Sequence, residues 1–149
     1  PAPGSQDEVA VKVIAITALS ACMFIAPMVA GQRASAVHKG QEAAVAWLDL
    51  LDSGQYAASW DQAAPQLQRA MPRPAWEASL LARRAPLGPI VARRLKWANY
   101  TETLPELPAG QYVILEYETR FANRVSAAET VTPVKDAHGR WKVGAYSIR

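Results

Sequence analysis

The hydrophobic period along this chain changes once, and the change divides the region after residue 37 into two halves. In the first half apolar residues recur every three to four positions. Ala44, Trp47, Leu48 and Leu51 fall on one face of a helix that ends near Ser53, where Gly54 supplies a left-handed cap. Tyr56, Trp60, Ala63, Ala64 and Leu67 continue that period as a second helix, which Pro65 bends or shortens and Met71-Pro72 stops. Pro74 suits a first helical turn and opens a third helix through Trp76, Leu80 and Leu81, closing at Gly88-Pro89.

From Ile90 the period falls to two. In residues 112–121, Val113, Leu115, Tyr117, Thr119 and Phe121 share one side of a strand, while Glu116, Glu118 and Arg120 take the other. Residues 91–103 make a partner strand, residues 126–135 return, and Asp136-Ala137-His138-Gly139 turns into a last strand over 141–148. Strands that follow one another in this way predict a meander. The expected class is α+β, with three N-terminal helices packed on the concave side of a curled, four-stranded antiparallel sheet.

Ahead of this domain lies an uncharged run, residues 13–30, marked by Val13, Ile16, Leu19, Phe24 and Ile25. At 1.5 Å per residue a helix of this run approaches the ~30 Å of a bilayer's hydrocarbon. Three readings fit. Lys12, the run and Ala34-Ser35-Ala36 compose a cleaved export signal; the run alone composes a retained anchor; Leu19-Ser20-Ala21-Cys22 has the spacing of a lipidation site at Cys22. Each divides the chain into residues 1–36, a signal or anchor with linker, and residues 37–149, one domain. Each also delivers that domain to the extracytoplasmic side of a membrane, with lipid as partner through residues 13–30 and a membrane protein complex as a further partner.

Composition narrows the chemistry. Cys22 is the only cysteine, so a domain in an oxidising space has no thiols for an internal disulfide and depends on packing. A net charge of +3 is too small to imply nucleic acid. His38 and His138 have no Cys or paired carboxylate at metal-ligand spacing, and the serines lack the elbow that would activate a hydroxyl. No cofactor motif is present. For acid and base chemistry the available groups are Glu116, Glu118, Glu129 and Tyr146, whose strand phase argues mostly for the outer, wet face. Trp47, Tyr56, Trp60, Trp76, Trp97, Tyr117, Phe121 and Trp141 form a core, or line a cavity. The cavity version uses Trp60, Trp97, Glu116, Glu129 and Tyr146. Arg83, Arg84, Arg93, Arg94 and Lys96 bracket RAPLGPIVA and read as a solvated face or a patch for an anionic partner. Arg84 stands apart, next to a proline turn where it can cap the carbonyls of the third helix. On this reading, replacing Arg93 and Arg94 leaves stability unchanged.

The blocks DSGQYAASWDQAAP (residues 52–65), RAPLG (84–88), YVILEYETRFAN (112–123), ETVTP (129–133) and WKVGAYSIR (141–149) occur in an order that resembles a family of small exported bacterial proteins known as domain of unknown function 4019. The resemblance implies a cone-shaped α+β fold similar to nuclear transport factor two and ketosteroid isomerase. It brings no reaction and no catalytic residues. Arg73 departs from it, standing where a Ser-like helix cap is expected. The function these observations imply is a noncatalytic binding or accessory module, with a small-molecule binder or enzyme of the cone fold as the alternative.

Overall fold

Helix formation starts well ahead of the amphipathic stretch. The computed structural model describes residues 25–149, and α1 occupies Ile25–Asp52, 28 residues in one piece. The hydrophobic period marks this helix only from Ala44. It extends further because residues 28–39 are mostly good helix formers and carry no proline to interrupt the ladder. Ala36, Ala44, Trp47, Leu48 and Leu51 make its buried stripe. Gly54, at φ 72°, ends it as expected, with the Gln55 amide donating to the Leu50 carbonyl at 2.7 Å. Of the proposed membrane segment, Val13, Ile16, Leu19, Cys22 and Phe24 lie outside the described residues, and Ile25 opens α1. The Ala34-Ser35-Ala36 tripeptide lies within the helix. Among the described residues no helix is long and apolar enough to cross a membrane.

The second expected helix is two. α2 covers Tyr56–Gln62 and α3 covers Pro65–Ala70, separated by Ala63 and Ala64, both in extended conformation. The cause is Pro65, whose ring excludes helical geometry from the residue before it. The break has a use, since the Ala64 amide donates to the Val143 carbonyl at 2.8 Å and fastens the helical layer to the sheet. α4, Arg73–Arg84, begins after Pro72 with no side-chain cap. Arg73 instead faces Glu77 at 3.2 Å and Asp61 at 3.5 Å. A short 3-10 turn, Ala85–Leu87, and Gly88 at φ 73° then redirect the chain.

Four strands follow: β1 Ile90–Thr101, β2 Tyr112–Phe121, β3 Arg124–Lys135 and β4 Trp141–Ile148. Their order is β1-β2-β3-β4 and every pair is antiparallel, the meander that the alternation predicts. Register slips between Leu95 and Trp97 and between Thr132 and Pro133 deepen the curl. On β2 the expected phase holds, with Val113, Leu115, Tyr117, Thr119 and Phe121 all buried. Helices cover this concave face, where Trp47, Leu48, Leu51, Trp76 and Leu80 meet Val113, Leu115, Tyr117, Val131 and Val143. α1 passes close to β2 at Gly40, where an added Cβ would lie 2.9 Å from the Val113 side chain.

Candidate functional site

A charged residue sits at the centre of this apolar layer. Glu129 follows the inward phase of Ala127 and Val131 on β3 and is 0% exposed. Burying a carboxylate without partners is prohibitively costly, so its surroundings are constrained. Four donors reach it. Oε1 accepts from Arg84 Nη1 at 2.7 Å and from the Tyr146 hydroxyl at 2.6 Å; Oε2 accepts from Arg93 Nε at 2.8 Å and from Thr119 Oγ1 at 2.5 Å. These saturate the lone pairs of a carboxylate.

The two arginines are joined by a second carboxylate. Arg93 gives Nη1 to Asp52 Oδ2 at 2.7 Å and Nη2 to Asp52 Oδ1 at 2.9 Å, and Arg84 Nη2 donates to Asp52 Oδ1. The result is a neutral ring of two cations and two anions, with Arg84 5% exposed, Arg93 13% and Asp52 15%. Secondary structure explains where each member stands. Arg84 ends α4, where the helix dipole favours a cation. Asp52 ends α1, where the dipole disfavours an anion, and the two guanidiniums offset this. Arg93 is carried inward by β1 opposite Thr119. The Arg84 guanidinium also lies 5.3 Å from the centre of the Phe121 ring.

Burial alone would raise the pKa of Glu129. The charge of Arg93 and the hydrogen bonds from Thr119, Tyr146 and Arg93 outweigh it, so the carboxyl titrates below its ordinary range. Tyr146 moves the other way: burial and then the Glu129 charge push its hydroxyl far above the phenol range, with Arg84 opposing. Burial works against the Arg93 cation but is overcome by the hydrogen bond to Asp52 and the Glu129 charge, so its pKa rises. Arg84 rises as well, its burial penalty outweighed by Tyr146, Glu129 and Asp52.

Above the ring the concave face is filled with aromatic carbon. Trp47, Trp76 and Tyr146 pack with centroids 5.9, 5.5 and 6.4 Å apart. Trp47 Nε1 donates to the Ser59 carbonyl at 2.7 Å and Trp76 Nε1 to Ser59 Oγ at 3.0 Å. Among the described residues no group of His, Cys, Asp and Glu side chains is placed to hold a metal ion.

The structure regroups the residues that the sequence singles out. Glu129 and Tyr146 face inward, against the outward phase expected of them, because two arginines follow them inside. Trp60, Trp97 and Glu116 do not join them. Trp60 is half-buried and ties α2 to α3 by donating to the Met71 carbonyl at 2.8 Å. Trp97 is 50% exposed on the outer face, paired across strands with Glu116. The expected patch of five cations divides similarly. Arg84 is buried and Arg93 partly buried in the ring, so Arg84 serves carboxylates instead of helix carbonyls. Arg94 and Lys96 share half-exposed Glu118 at 2.6 and 3.7 Å across β1 and β2, and Arg83 is exposed. Asp52 is the member that sequence reasoning missed. An acidic residue at a helix C-terminus is unfavourable unless a cation answers it, and that is the signal it carried.

A curled antiparallel meander, backed by helices and keyed at its centre by a neutral ring of ion pairs, defines a scaffold class in which the central charges serve one another. The chain belongs to the family described as "Protein of unknown function (DUF4019)", whose model matches residues 43–146. That span contains Asp52, Arg84, Arg93, Thr119, Glu129 and Tyr146. No curated protein and no solved structure matches the chain.

Proposed function

We propose that this protein is a noncatalytic binding or accessory module on the extracytoplasmic side of a bacterial membrane. Residues 13–30 act as its export signal or tether, and a membrane protein assembly is its partner. The observation that carries the noncatalytic part is the saturation of Glu129. A general acid or base has to exchange a proton with a substrate atom within hydrogen-bond reach. Glu129 has all its acceptor sites occupied, and the Tyr146 proton is directed at Glu129 Oε1. The extracytoplasmic part rests on the uncharged run and on the absence of cysteine after Cys22. The same reading takes the fold as a cone of the nuclear transport factor two kind, its hollow filled by Trp47, Trp76, Tyr146 and the ion pairs. The alternative, a ligand pocket or active site, needs Trp60, Trp97 and Glu116 beside Glu129 and Tyr146, and against it stands the placing of Trp97 and Glu116 on the outer face of the sheet.

Cell fractionation tests the proposal. The expected result is that the full-length or processed chain is released only with the envelope fraction and copurifies with a membrane protein at fixed stoichiometry. A solitary species in the cytoplasm overturns it.

A further inference from the structure

A second feature lies away from the ring, at the end of the sheet where β1 and β3 finish and β4 begins. A cleft of about 580 Å³ opens there between the first turns of α1 and the sheet. Arg33 and Lys39 line it from the helix and Lys135 from β3, with Met28, Val29 and Trp141 supplying apolar wall. Among the described residues none of the three cations is within ion-pair distance of a carboxylate. Lys135 Nζ donates to the Gln111 side-chain oxygen at 3.4 Å. Among the described residues the one acid in the wall is Glu102, which accepts the Tyr100 hydroxyl at 2.9 Å. Three cations against one carboxylate leave the cleft positive, beside exposed methionine and valine.

We infer that this cleft binds the headgroup of an anionic phospholipid. The charge selects a phosphate-bearing anion, and the apolar wall selects one attached to hydrocarbon. Position supports the lipid over a free anion. Met28 and Val29 belong to the uncharged run 13–30 and also line the cleft, so one helix carries lipid-preferring residues and cations to the same place. Arg33 lies three residues beyond Ala30, ~4.5 Å along the axis and within the ~5–8 Å depth of a headgroup layer, while Lys39, ~13.5 Å along, lies on its aqueous side. This step rests on the proposal that residues 13–30 enter a membrane and stay there as a tether, since cleavage after Ala36 would remove Met28, Val29 and Arg33.

The test is calorimetric titration of the full chain, in mild lipid-free detergent, with dihexanoyl-phosphatidylglycerol. Saturable binding to one site is expected, with dihexanoyl-phosphatidylcholine much weaker. The triple variant Arg33→Gln, Lys39→Gln, Lys135→Gln should bind at least about tenfold more weakly, from losing three headgroup cations, with an unchanged thermal midpoint because all three side chains lie at the surface. Equal binding of the two lipids, or undiminished binding by the triple variant, overturns the inference. Displacement of the lipid by inorganic phosphate at equal concentration makes it a free-anion site and overturns it too. So does lipid-independent dimerisation that the variant abolishes, which would seat a second copy in the cleft. The titration needs no cell membrane or partner, so its failure is distinct from failure of the fractionation experiment.

Discussion

Glu129 shows how little a residue's type says about its place. In composition it is one of several strand carboxylates; its step-of-two phase with Ala127 and Val131 marks it as inward, although the sequence reading set it with outward-facing Glu116 and Glu118. That signal was present in the sequence; its cations were not, because nothing in the spacing of Arg84, Arg93 and Asp52 says that three separate elements bring them together. The consequences are specific. Glu129→Ala or Arg93→Ala should lower unfolding free energy by about 3–5 kcal/mol in urea titration, since either leaves its partners' charge buried and unanswered. Arg94→Ala, which removes an exposed partner of Glu118, should lower it by less than about 1 kcal/mol. Equal effects for Arg93 and Arg94 would return both to the surface patch read from sequence. The titration of Glu129 fixes a sign as well. Its folded pKa lies below the ordinary 4.5, so its contribution is complete above that value and is lost as pH falls through the folded one. The thermal midpoint should therefore decline below about pH 4.5, and Glu129→Gln should flatten that decline.

Elements were legible wherever the hydrophobic period was strong and unbroken. The β2 alternation gave both its ends and its buried face, and Asp136 to Gly139 marked the last turn. Two element boundaries followed local rules that a period does not report. Pro65 acts backward on Ala64 and makes two helices of one, and the start of α1 is hidden in a stretch of small and polar residues whose helix propensity is good but whose pattern is weak. Gly40 belongs to that hidden part. It lets the α1 backbone approach Val113, so Gly40→Ala should destabilise by about 1–3 kcal/mol through overpacking. Chemical denaturation checks this, and an unchanged midpoint would mean that the helix can lift from β2 without loss.

For the molecule as a whole, the ring joins α1, α4 and all four strands, since Thr119 and Tyr146 bring in β2 and β4. Loss of α1, α4, β1 or β3 leaves a charge of the ring unmatched, and loss of β2 or β4 strips Glu129 of a hydroxyl donor. Unfolding followed by tryptophan fluorescence and by far-ultraviolet circular dichroism should trace one coincident transition. Two separated transitions would show that the helical layer and the sheet are independent. Trp47→Ala, which empties the centre of the same layer, should cost about 3–5 kcal/mol in the same measurement.

The unbroken course of α1 has a mechanical meaning. Twenty-eight residues of one helix extend ~42 Å, and the far end is bolted to the domain through Asp52. Such a part is a mast and not a leash: it has no swivel along its length. Whatever grips the chain at residue 25 therefore sets the tilt and heading of the whole body, and a few degrees of rotation at the base sweep its opposite end through several ångströms.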